Sequence, residues 1–125
     1  MNSTSGTALS GESVELLHTL AFLSVQNGRP HEAVSLLEAA DRFGKCDARA
    51  LTLLSLAQLR AGFASRAFST LQRVDPSPAQ RRTYQVVLAQ ILVALGRREE
   101  AHAAIRRAGA PKLALTGRTG TSQSI

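Results

Sequence analysis

Three glycines, Gly28, Gly62 and Gly96, stand 34 residues apart, and each is followed five residues later by an alanine: Ala33, Ala67 and Ala101. A fixed period of that length marks one supersecondary unit stacked on copies of itself. A single copy cannot bury its own apolar face, so the period constrains the fold more than any other feature of the chain.

The residues around the glycines repeat as well. Seven positions before each glycine stands a small residue, Ala21, Ser55 or Ala89, and one position earlier a leucine, Leu20, Leu54 or Leu88. Nine positions after each glycine comes a bulky aliphatic, Leu37, Leu71 or Ile105, and three further on come Ala40, Val74 and Ala108. The pattern predicts a first helix ending at each glycine, over 12–27, 47–61 and 77–95. It predicts a second helix over 30–43, 64–74 and 98–108. A glycine at a helix end takes the left-handed conformation that stops the helix. The small residues let paired helices approach, and the leucines fill the space between and behind them. Pro30 suits a first helical turn, where its missing N–H costs nothing. Asp47 reads as an N-cap, and Ser77-Pro78-Ala79-Gln80 as a capping box with proline at the first helical position.

The expected organisation is therefore all-α. Residues 1–11 read as a Ser/Thr/Gly-rich disordered lead-in, 12–108 as one helical domain, and 109–125 as a flexible tail. Within the domain the repeats cover 12–46, 47–76 and 77–108. A 44% hydrophobic chain rich in Ala and Leu supports one core and favours helices. No apolar run reaches the length of a membrane span. The first ten residues lack the basic and apolar regions of a secretory signal. Cys46 is the only cysteine, so an internal disulfide is ruled out and a cytoplasmic location is expected.

The formal charge of +6 is uneven: residues 1–47 hold 3 basic and 6 acidic side chains, and 48–125 hold 12 and 3. Such asymmetry raises an acidic partner, nucleic acid or a membrane surface, or else solvated outer helix faces. The pairs Arg81-Arg82, Arg97-Arg98 and Arg106-Arg107 are the one nucleic-acid feature. The scarcity of base-stacking aromatics argues against specific single-strand binding. No phosphate-binding glycine loop, HExxH pattern or paired-cysteine spacing occurs. His18, His31 and His102 are spread over separate predicted helices. No metal, cofactor or catalytic group is therefore expected, and the chain reads as a binding protein, not an enzyme.

The glycines, small residues and leucines named above resemble the tetratricopeptide repeat over about residues 14–115. The chain departs from that pattern: no tryptophan or tyrosine marks the first helix, and leucine replaces the aromatic of the second. Its closing prolines are displaced to Pro76 and Pro111. The resemblance implies a short right-handed solenoid whose first helices line a concave face. On that register the facing residues include His18, Phe22 and Val25, then Leu56 and Leu59, then Val86, Gln90 and Val93. This row is largely apolar where a soluble solenoid should be polar. It reads as a groove for an amphipathic helix or hydrophobic segment, or as core if the repeats curl tightly. The Lys and Asn that grip chaperone carboxylate tails in some members are absent, with His18, Phe22 and Thr52 in their places. Gly109, Pro111 and Gly117 oppose a closing helix, so Ile105 is expected on an uncapped end that a second copy could cover as a homodimer.

Residues 16–40, LLHTLAFLSVQNGRPHEAVSLLEAA, resemble the type III secretion chaperones of the YscY/SctY group. That resemblance implies a cytoplasmic bacterial chaperone for an export-apparatus or needle-related protein. The runner-up readings are a self-associating repeat scaffold and a basic nucleic-acid accessory protein.

Overall fold

The computed structural model describes residues 11–109; the expected lead-in and tail lie outside the described residues except for Gly11 and Gly109. The elements are α1 (Gly11–Gln26), α2 (Pro30–Arg42), α3 (Ala48–Arg60), α4 (Ala64–Gln72), a 3-10 turn (Pro78–Gln80), α5 (Arg81–Ala94) and α6 (Arg98–Arg107). No strand occurs among the described residues, and the fold is all-α.

Each helix expected from the glycine register is present. Asp47 caps α3 by accepting the Ala50 N–H at 2.9 Å on Oδ1. The Gln80 half of the capping box also forms, with the Ser77 N–H donating to Gln80 Oε1 at 3.0 Å. The third first helix starts later than its pattern predicts. The Gln80 N–H bonds back to the Ser77 carbonyl at 2.9 Å, a tighter i→i−3 turn, and α geometry begins at Arg81. The end of α4 tightens in the same way. The N–H groups of Arg73 and Val74 reach carbonyls three residues back, so the helix stops at Gln72.

The three glycine turns are copies of one another at the level of single hydrogen bonds. Gly28, Gly62 and Gly96 all have positive φ, at 75°, 96° and 79°. Their N–H groups donate to Val25, Leu59 and Val93 at 3.2, 3.0 and 3.0 Å. The following N–H groups, of Arg29, Phe63 and Arg97, donate to Ser24, Gln58 and Leu92 at 2.7–2.8 Å. This is the Schellman arrangement, which satisfies carbonyls that a helix end would otherwise leave bare. The next helix then begins at once, its first i→i−4 bond made by the N–H of Ala33, Ala67 or Ala101.

Packing follows the same register. The alanines after the turns are at most 2% exposed, and Ala21, Ser55 and Ala89 before them at most 4%. Serine is tolerated there because its hydroxyl donates to the Thr52 carbonyl at 2.8 Å and leaves no buried polar atom unpaired. Leu37, Leu54, Leu71 and Ile91 are the largest fully buried side chains. Each contributes about 1.5–3 kcal/mol by leaving water.

The described residues divide into two compact units, with the boundary between Asp75 and Pro76. In the first, α1 packs on α2, α2 on α3, α3 on α4, and α1 also on α3. In the second, α5 packs on α6.

One residue departs from its expected role. Leu54, at the equivalent position in the second repeat, is 1% exposed, but Leu20 is 44% exposed. The face of α3 that carries Leu54 belongs to a helix packed on α2, the second helix of the preceding pair. Among the described residues no helix pair precedes α1, and Leu20 keeps its exposure.

Candidate functional site

His18, Phe22 and Val25 follow one another at four- and three-residue steps along α1 and therefore share one helix face. Leu56 and Leu59 do the same on α3. Because α1 and α3 pack together, these five residues lie on neighbouring helices of one unit. Phe22 is 45% exposed, while His18, Val25, Leu56 and Leu59 are half-buried. An ion pair crosses between the helices at the edge of this face, Arg49 to Glu15 at 3.8 Å. Both partners are well exposed, so the pair orients more than it stabilises. His18 titrates below its ordinary value, because partial burial strips water from the imidazolium and Arg49 repels it. A neutral imidazole suits an apolar surface better than a charged one.

Val86, Gln90 and Val93 lie on one face of α5 at the same steps, in the second unit. Val93 is 58% exposed, Gln90 is exposed and Val86 is half-buried. Each of the eight candidate residues thus keeps some contact with water, and none is locked in the interior.

Two features escape a reading of the repeats as equivalent. Leu16, Leu20 and Leu23 form a second apolar row on α1, at 60%, 44% and 46% exposure. Ile105, the residue expected to be bare, is half-buried. The signal for the leucine row was available in its spacing together with its place in the first copy.

The other feature is polar. An open pocket of about 470 Å³ lies among α2, α3 and α4, lined in part by Glu38, Asp41, Gln58, Arg66, Thr70 and Arg73. Thr70 Oγ1 donates to Gln58 Oε1 at 2.7 Å, and Gln58 Nε2 donates to Glu38 Oε2 at 3.3 Å. Arg66 pairs with the same carboxylate and lies over the Phe63 ring, its Cζ 4.8 Å from the centroid. Arg73 grips Asp41 with two bonds of 2.8 and 2.9 Å, and that pairing holds the Asp41 carboxyl below its usual range. The carboxylates and the buried amide here are engaged by partners within the protein. The arrangement ties three helices together.

Among the described residues, no group of three or more His, Cys, Asp or Glu is placed to hold a metal ion. Cys46 is half-buried beside the Leu37 carbonyl, its Sγ 3.6 Å away, and burial pushes its thiol up to about 11. No helix among them is long and apolar enough to cross a membrane. No known family's model matches the chain, and no curated protein matches it.

Proposed function

We propose that this chain is a helical-repeat adaptor of the tetratricopeptide type, which shields an amphipathic or hydrophobic segment of a partner protein. The observation that carries the reading is the apolar face of α1 and α3, where Phe22, Val25, Leu56 and Leu59 occupy equivalent repeat positions and remain part-exposed. Val86, Gln90 and Val93 hold the same register on α5, in the second unit, and form a separate candidate contact row there. Completing the burial of Phe22, 45% exposed, is worth about 1 kcal/mol, and Val25, Leu56 and Leu59, already mostly covered, gain at most about a third of their full transfer value each. Together these gains do not exceed the low end of the cost of association, about 4 kcal/mol. The partner must therefore bring an apolar stripe of its own, as an amphipathic helix does.

The resemblance of residues 16–40 to the YscY/SctY chaperones supports a narrower version. In it the protein acts in the bacterial cytoplasm, without a cofactor and without catalysis, on an export-apparatus or needle-related protein before secretion. The test is Leu56→Glu in tagged protein purified from the native host. Loss of the co-purifying partner with wild-type helicity supports the contact. Retention of the partner refutes it, and collapsed helicity makes Leu56 core.

A second reading, self-association through an uncovered end, is favoured by the exposed Leu16, Leu20 and Leu23 on α1. Sedimentation of the purified protein separates the two. A stable homodimer dispersed by Leu20→Glu supports self-association, and a monomer rejects it.

A further inference from the structure

The second unit carries positive charge that its fold does not require. Helix α5 has Arg81 and Arg82 in its first turn, and α6 has Arg106 and Arg107 in its last. Only Leu95, Gly96 and Arg97 separate the two helices, so the chain reverses and the start of α5 lies beside the end of α6. The contact is explicit: Arg107 Nε donates to Gln85 Oε1 at 3.3 Å. Gln85 stands one turn along α5 from Arg81 and Arg82, on their side of the helix. Guanidiniums separated by 25 residues of sequence between Arg81 and Arg106 thus gather at one end of one helix pair.

All four arginines are exposed. Among the described residues none of them forms an ion pair. The acids of this unit, Glu99 and Glu100, lie in the first turn of α6, at the opposite end of the pair. Arg106 and Arg107 have a structural use, since cations complement the negative end of a helix. Arg81 and Arg82 have the reverse: they sit at the positive end of α5, where a cation costs stability. A residue choice that breaks a local rule without a folding gain points to function.

We propose that this cluster docks an acidic segment of a partner protein, a run carrying several aspartates or glutamates. Guanidinium forks match carboxylates in geometry as well as charge. A single-stranded nucleic acid fits the surface less well. Tyr84 is the one Phe, Tyr or Trp side chain in the unit and is half-buried, so large stacking platforms for bases are scarce. The cluster is made by α5 and α6 alone, and the inference does not depend on the apolar face of α1 and α3.

The test is fluorescence anisotropy of fluorescein-labelled polyglutamate with the full chain at low salt. A triple variant, R81E/R82E/R107E, is compared with R42E/R60E/R98E, which changes net charge equally at other exposed sites. Binding by the wild type, weakened on the order of tenfold or more by the first variant and much less by the second, is the expected result. Added salt should weaken the wild-type complex. Absence of binding at low salt overturns the proposal. So does equal loss in both variants, or tighter retention of oligo(dT) through the same arginines. R81Q/R82Q, which introduces no new acid, must also weaken binding with unchanged circular dichroism; unchanged affinity refutes the cluster.

Discussion

Replacing Gly62 with alanine isolates the turn that joins α3 to α4. A Cβ at this position would meet no heavy atom within 4 Å, so no clash contributes to the effect. What remains is the backbone. At φ 96° an L-residue is strained, by about 1–2 kcal/mol in the left-handed region. Alanine also narrows the unfolded ensemble, which returns about 0.4–1 kcal/mol. The net expectation is a loss of about 1 kcal/mol, or about 4–8 °C in melting temperature for a domain of this size. Urea denaturation followed by far-UV circular dichroism gives the free energy directly. Gly62→Asn should lose less than Gly62→Ala, because asparagine tolerates the left-handed region. If Gly62→Ala matches or exceeds wild-type stability, the two turn bonds to Leu59 and Gln58 do not hold the turn in place, and the reasoning fails.

Other substitutions read other parts of the account. Thr70→Val leaves the buried Gln58 Oε1 without its donor and should cost about 1–3 kcal/mol in the same assay, with Gln58→Leu in the Thr70→Val background recovering part of the loss. His18 supplies a pH signature. Its pKa in the fold is depressed below that of the unfolded chain, by burial first and Arg49 second, so the neutral form stabilises the fold. That contribution is complete above the unfolded value of about 6.5 and is lost as pH falls through the lower folded value. Melting temperature should therefore drop between about pH 7 and pH 5 by more in the wild type than in His18→Gln.

Much of the fold could be read before any coordinates because the stop signal is local. A glycine, an alanine five positions on and a small residue seven positions back determine where each helix ends and which faces close together. The Schellman bonds at Gly28, Gly62 and Gly96 are the physical form of that signal. Gly44 ends α2 in the same way, with the Lys45 N–H donating to Ala40 at 3.1 Å, yet it lies outside the 34-residue register, which does not mark it as a cap. Leu20 differs for another reason. Periodicity assigns a residue to an apolar face but does not say whether a neighbour covers that face, and among the described residues no helix pair precedes α1. The chain from Thr70 through Gln58 to Glu38 was not legible either. Its members are 12 and 20 residues apart, and the equivalent positions in the other repeats carry different side chains, such as Ser24 and Leu92 at the Gln58 position. The candidate site was legible as register, in the four- and three-residue steps on α1 and α5 and the Leu56–Leu59 step on α3. The degree to which each side chain meets water depends on packing between helices distant in sequence.

The most direct test of the central claim is photocrosslinking from the apolar face in the native host. A photoreactive phenylalanine analogue is placed at Leu59, and in a parallel protein at Ser69, an exposed position on α4 that borders the polar pocket. The account predicts one adducted polypeptide from Leu59, mapped by mass spectrometry to an amphipathic helix, and none of it from Ser69. An absence of any adduct from Leu59, or the same adduct from both positions, contradicts it.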